Sequence, residues 1–294
     1  MKKKYQSVLI LVILCTILLL YLFTVDMIVV NILEYTELFL KKIFPVSFIF
    51  FTVSNLLIEY NFIQFFQQLF KVKSPFIFAF LLSLISGFPS GAIYTKEMLD
   101  KGIINVKDAN KIIMFTHFPN PLFVINSIGI ILNSKFRAYI LLLSIILSNF
   151  IIFLVLNNKN SSTALECKDN NDFSLCLTNS IIRSIKCIVI VYGISVFFFL
   201  IATFLNKIVD NTYYYVIING IFDLTKGIYS TTLISNIFIR SLFIIIFITF
   251  GSLSIHFQIK SILSDTNINY NNFIFGRILS CILTIIIFFI MMLL

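Results

Sequence analysis

The chain is 294 residues long, 59% hydrophobic and 12% charged, with 35 phenylalanines, whereas a soluble domain is about 45–50% apolar and about 25% charged. That composition excludes an ordinary soluble domain and marks a polytopic membrane protein. The net charge of +9 sits on basic residues flanking apolar runs, as topology signals do. No basic stretch is interleaved with exposed aromatics, so nucleic acid is excluded as a partner.

The first apolar run, residues 8–25, follows Lys2-Lys3-Lys4. It is longer than a signal-peptide core and lacks a small-residue cleavage site, so it reads as a retained anchor. Residues 26–42 mix Asp26, Glu34, Glu37, Lys41 and Lys42 with apolar residues, the pattern of an interfacial helix. A second apolar run over residues 45–58 ends at Glu59, an acid at the end of a short span that faces either the interface or a cavity. Residues 62–73 are amphipathic.

A first interruption follows. The apolar run 74–85 has about half the roughly 20 residues that a spanning helix needs. Ser86-Gly87-Phe88-Pro89-Ser90-Gly91 then breaks it, and a helical pattern resumes at Ala92. Irregular backbone at membrane depth persists only where protein or a water-filled cavity satisfies it, and a broken helix there is the usual sign of a transporter's solute site. The second interruption is Thr116-His117-Phe118-Pro119-Asn120-Pro121, with helical pattern on both sides. Two prolines in three residues cannot sit in an unbroken helix. Residues 136–156 form a conventional span. A polar loop over residues 157–180 divides the chain into residues 1–156 and 181–294, and the second part predicts spans at about 181–205, 216–232, 237–257 and 273–294. The third interruption lies around Asp223 and Lys226, the fourth over residues 251–258.

Setting Gly87 on Gly251 gives an offset of 251 − 87 = 164, and the same offset pairs Ser90 with Ser254, Lys96 with Lys260, Asn105 with Asn269 and Glu59 with Asp223. These matches fall on unusual positions and predict two repeats. An odd span between them inverts the second copy. The fold expected is therefore all-α, a polytopic membrane protein of about nine crossings in two inverted repeats with broken or re-entrant helices. With the N-terminus inside, Lys71, Lys73, Lys135, Arg137, Lys207 and Lys260 fall on the cytoplasmic side, while Lys96, Lys101, Lys107 and Lys111 run against that orientation.

The candidate site is the four interruptions. Ser86, Gly87, Ser90 and Gly91 precede a half-helix whose free N–H groups suit an anion; Lys96 lies a turn or so beyond, or snorkels to the surface. Thr116, His117 and Asn120 are donors and acceptors beside the prolines; His117 either titrates near neutrality or is a hydrogen-bonded core histidine. Asp223 and Lys226 share one helical face and either satisfy each other or contact a substrate or coupling ion. Ser252, Ser254, His256 and Gln258 either line the site or permit close helix packing. Cys15, Cys167, Cys176, Cys187 and Cys281 show no metal-ligand spacing, although Cys167 and Cys176 share the polar loop, and the chain has only two histidines. No metal, no cofactor and no enzymatic activity are expected, since no Walker loop, HExxH, GxSxG or kinase motif is present.

The motifs at Gly87-Phe88-Pro89-Ser90-Gly91-Ala92, Asn120-Pro121-Leu122-Phe123, Gly220-Ile221-Phe222-Asp223 and Gly251-Ser252-Leu253-Ser254-Ile255-His256-Phe257-Gln258 together resemble the YlbJ family of sporulation integral membrane proteins. That family belongs with the nucleoside-recognition "Gate" domain proteins, distantly related to concentrative nucleoside transporters. The second motif departs from the family pattern of consecutive asparagines, a serine and a glycine. The resemblance implies a transporter of an endospore-forming Gram-positive bacterium, placed in the mother-cell-derived membrane around the forespore and delivering dipicolinic acid. The expected activity is transport of a small anionic solute by alternating access, with a coupling ion and oligomerisation left open. The rivals are a nucleoside or other metabolite carrier of the same fold and a non-transporting assembly factor.

Overall fold

The computed structural model describes residues 2–60, 62, 75–157 and 172–293, and no strand occurs among them. The chain is all-helical, as apolar runs must be when they satisfy their own backbone in a bilayer. Helix α1 (Lys2–Phe23) turns at Thr24 into α2 (Val25–Leu38), with Leu14–Phe23 and Val25–Lys41 meeting at 101°. The segment expected as an interfacial helix instead runs on through a π-helical turn (Phe39–Ile43) into α3 (Phe44–Glu59). Pro45 is the local cause, because it has no N–H to give and its ring displaces the carbonyl four residues back. α2 buries Ile28 and Tyr35, and α3 packs along α8 (Phe173–Asn206). The amphipathic stretch 63–73 and Cys167 fall outside the described residues, so neither that helix nor a Cys167–Cys176 pair is addressed.

The expected interruptions take definite forms. Helix α4 (Pro75–Ser86) stops at Gly87, and α5 (Ser90–Asp100) resumes after it. Gly87 has φ 78°, a left-handed conformation that costs glycine nothing, and its N–H closes the helix on Ser83 O at 3.0 Å. Helix α6 (Val106–Phe115) starts at Asn105, whose side chain accepts from Asp108 N. It ends before the non-helical residues 116–120, and helix resumes at Pro121 with a second π-helical turn (Phe123–Ile128). Helix α7 (Lys135–Leu156) is capped by Ser134.

In the second half α8 starts at Phe173, so it absorbs the end of the segment expected as polar loop. The expected span over 216–232 is two short helices in series, α9 (Thr212–Phe222) and α10 (Leu224–Ser230), joined at Asp223. They approach closely: a Cβ on Gly220 would lie 2.0 Å from the Phe247 ring, and one on Gly227 would lie 2.3 Å from Gly220 Cα. Helix α11 (Ile237–Phe250) ends at Gly251, φ 93°, and α12 (Leu253–Ile262) follows. The last helix is α13 (Tyr270–Leu293).

By length and composition four helices can cross a membrane: Lys135–Leu156, Phe173–Asn206, Ile237–Ile262 taken as one, and Tyr270–Leu293; the bent pair at the N-terminus would make five. Ser47–Glu59 and Pro75–Ser86 are apolar but shorter. α13 sits at the centre, packed on α6, α7 and α11. Its seam with α7 is polar, with Thr284 Oγ1 donating to Ser148 Oγ at 2.8 Å and Ser148 and Ser280 sharing a bond at 3.3 Å. Small residues and hydroxyls are what draw helices together where lipid supplies no hydrophobic drive.

Candidate functional site

Three of the four interruptions open on one cavity of about 290 Å³. Ser86 and Phe88 come from the first break, Asn120, Leu122 and Phe123 from the second, and Leu224, Thr225 and Tyr229 from the helix that Asp223 begins. Leu38, Ile43, Ser47, Asn126 and Ser127 complete the wall. No charged side chain lines the cavity among the described residues. Its polar groups are hydroxyls and amides, and its apolar ones include three aromatic rings.

The first two breaks are locked together by glycine. A Cβ on Gly87 would lie 2.8 Å from Asn120 N, and one on Gly91 would lie 1.9 Å from Thr116 O. Glycine is needed at both positions for close approach, and at Gly87 for its φ as well. Ser90 Oγ donates to Gly87 O, while Ser86 Oγ shares a 2.6 Å bond with Tyr94 Oη, which donates to Ser54 Oγ at 2.8 Å. The first break is therefore tied to α3 and α5 through a buried hydroxyl chain. Asn120 Oδ1 accepts from Leu122 N at 2.9 Å and Phe123 N at 3.4 Å. Its amide nitrogen makes no hydrogen bond among the described residues, and neither do the side chains of Ser47, Asn126, Ser127 and Thr225. Unfilled donors and acceptors thus collect on the cavity wall.

At the third break Asp223 Oδ1 accepts from Lys226 N at 2.8 Å, and Tyr35 Oη approaches Oδ2 at 3.4 Å. The Lys226 ammonium does not pair with Asp223; it donates to Thr203 at 2.8 Å and lies 4.4 Å from the Phe199 ring centroid. Asp223 acts as the cap of α10, the use an acid finds at a helix N-terminus.

The fourth break does not contribute to the cavity wall. Ser252 and Ser254 share a bond at 2.7 Å, Gln258 Nε2 donates to Ser195 Oγ at 2.9 Å, and His256 lies between Tyr270 Oη at 2.6 Å and Phe250 O at 3.1 Å. A carbonyl only accepts, so in the neutral ring Nε2 carries the proton and Tyr270 donates to Nδ1. Most of these side chains are used in packing. The break reaches the second one through Phe273, which lies 5.3 Å from the His117 ring and 5.4 Å from that of His256. His117 also stacks on Phe88 at 5.0 Å, and its Nε2 is buried without a partner among the described residues. Thr116 Oγ1 bonds back to Ile112 O at 3.0 Å.

The remaining candidates form ion pairs. Glu59 accepts from Arg183 at 2.9 Å and lies 3.3 Å from Lys101. Lys96 pairs with Asp265, which joins α5 to the turn after α12. The Lys96 ammonium holds the Asp265 carboxyl below the usual carboxylate range. That contribution to folding is in place above the ordinary carboxylate pKa and is lost as the pH falls through the lowered value. Because Asp265 is exposed, Lys96→Ala is expected to leave the melting temperature at neutral pH unchanged within error, since exposed pairs contribute little. A large drop in a thermal melt would make this pair a fastening between α5 and α12.

The sequence reading passed over Arg277. It is fully buried on α13 and donates to Met114 O at 2.7 Å, Asn149 Oδ1 at 3.1 Å, His117 O at 3.2 Å and Thr249 O at 3.4 Å. The carbonyls freed at the end of α6 and near the end of α11 are thus gathered on one guanidinium. A lone charge four residues into the apolar run 273–294 was the available signal, because ionisable groups within spans are rare and purposeful. Tyr35 and Tyr94 carried no such signal, since a tyrosine in an apolar helix is ordinary. No family model matches the chain, and neither a curated protein nor a solved structure matches it.

Proposed function

We propose that the chain is a membrane transporter whose solute chamber is the cavity between the first three breaks. The observation that carries this reading is that Ser86, Asn120 and Thr225, from three interrupted elements far apart in sequence, line one space with unfilled hydrogen-bonding groups around it. The side chains of Ser47, Asn120, Ser127 and Thr225 are half-buried and that of Asn126 is exposed, so their polar groups are accessible to a solute. Transport runs by alternating access between two inverted repeats, in about nine crossings. Two parallels support the repeats. Gly87 and Gly251 both take positive φ, and their N–H groups close the preceding helices on Ser83 O and Phe247 O, a pair again 247 − 83 = 164 apart. Asn105 and Asn269 each accept a backbone N–H at a helix start, from Asp108 and Asn271.

The solute is a small planar anion, dipicolinic acid delivered during spore formation in the membrane around the forespore. Supporting this is the resemblance carried by the motifs at Gly87 and Gly251; the first turn of α5 lends nothing to it, because Ser90 N and Ala92 N already donate to Gly87 O and Pro89 O. A nucleoside is the second reading, favoured by the uncharged wall and by Phe88, Phe123 and Tyr229, which suit a neutral ring with hydrogen-bonding edges.

Titration of the purified chain with dipicolinate and with uridine tests both. Dipicolinate is expected to bind saturably, and Asn120→Leu to weaken it by roughly three- to tenfold, the worth of one hydrogen bond. Uridine binding without dipicolinate binding moves the conclusion to the second reading. Folded protein that binds neither removes transport in favour of an assembly role.

A further inference from the structure

Away from the chamber, a groove of about 280 Å³ lies where α7 and α11 begin and α13 ends. Ile237, Phe238, Phe288, Phe289 and Met292 form its walls, with Arg137 at its edge. The Phe238 and Phe289 rings lie 4.4 Å apart. All three helices can cross a membrane, so the place where their ends meet lies at headgroup depth and the groove runs inward toward the hydrocarbon.

Among the described residues no acid pairs with Arg137. No Asp or Glu occurs between Asp108 and Glu166, between Asp223 and Asp265, or after Asp265, so α7, α11 and α13 carry none. Its only described hydrogen bond by the side chain is from Nη1 to Leu132 O at 3.2 Å. Lys135 adds a second cation to the same first turn, and the helix dipole adds positive potential. Arg240, a third cation at this end, is committed to the carbonyls of Ile131, Thr232 and Ile234.

We infer that this groove holds an anionic phospholipid, one acyl chain lying along Ile237, Phe288 and Met292 and the phosphate on Arg137. A cation at the mouth of an apolar trough matches that amphiphile in both halves. A basic pocket between spans is where acidic headgroups collect, and guanidinium grips phosphate oxygens in a fixed fork. A neutral lipid would fill the trough and leave the charge unanswered; free phosphate would answer the charge and leave the trough empty.

The full chain, purified in detergent, is examined by native mass spectrometry with phosphatidylglycerol, phosphatidylcholine or inorganic phosphate added. Phosphatidylglycerol is expected to form a one-lipid adduct in preference to phosphatidylcholine. Arg137→Gln should cut that preference roughly fivefold, about the effect of one surface charge on an anionic lipid, while Arg137→Lys retains most of it. Ser241→Trp, which fills the trough, should remove the adduct for both lipids with Arg137 intact. Equal binding of the two lipids, an adduct matched by inorganic phosphate alone, or a preference unchanged in Arg137→Gln would each overturn the inference.

Discussion

Replacing Arg277 with alanine is expected to leave little folded protein. The guanidinium is fully buried and is the shared donor for Met114 O, His117 O, Thr249 O and Asn149 Oδ1. Truncation strands four acceptors, and a stranded buried group costs about 1–3 kcal/mol. Even if relaxation re-pairs half of them, the loss is a large part of the roughly 5–15 kcal/mol that holds a domain together. The opposing term is the charge itself. No carboxylate neutralises Arg277 among its described partners, so its removal returns a desolvation cost of several kcal/mol. Arg277→Met separates the two, because it keeps most of the volume while removing the charge and the donors together. Both variants should lower the yield of monodisperse protein on size exclusion and the melting temperature, methionine less than alanine. Arg277→Lys should fall between wild type and methionine, since an ammonium retains the charge without the fork that spans two carbonyls. A methionine variant that melts with wild type would mean that the α6 and α11 carbonyls find other donors and that Arg277 is not the clamp.

Arg277 also shows where the sequence was readable and where it was not. The breaks at Gly87, at Thr116 to Pro121, at Asp223 and at Gly251 were legible because each is caused locally: a glycine free to take positive φ, a proline without an N–H, an acid that prefers a cap. Their destinations were not legible. His256 and Gln258 carry the same polar character as Asn120, but they turn toward Tyr270 and Ser195 while Asn120 faces the cavity. No local rule separates them, because the choice depends on which helix lies opposite. The extension of α2 through its π-helical turn was missed because Pro45 looks like a start signal as readily as a kink. The pairing of Lys226 with Thr203 rather than Asp223 arises from α8 standing alongside, information that spacing within α10 does not hold.

Gly91→Ala is the sharpest test of the chamber. The added Cβ would lie 1.9 Å from Thr116 O, 2.8 Å from Thr116 C and 2.9 Å from Thr116 Cβ. Two of these are backbone atoms, so no rotamer change relieves the clash; α5 or the second break must move. Overpacking of this kind costs about 1–3 kcal/mol, occasionally more, which the fold can survive with a lowered melting temperature. The chamber is not expected to survive unchanged, because Ser86 and Asn120 line it from the two sides of the contact being forced apart. Solute binding should therefore fall by at least about tenfold, equivalent to about 1.4 kcal/mol, in protein that still elutes as a single species. Gly193→Ala supplies the control. Gly193 lies within α8 with nothing within 4 Å of its added Cβ, and alanine in a helix interior is worth about 0.5–1 kcal/mol over glycine, so that variant should melt slightly higher and bind as wild type does. If Gly91→Ala melts lower but binds normally, the contact between the first two breaks is structural packing and the solute lies elsewhere. If both properties fall while Gly193→Ala leaves binding intact, the joint at Gly91 and Thr116 sets the geometry of the chamber.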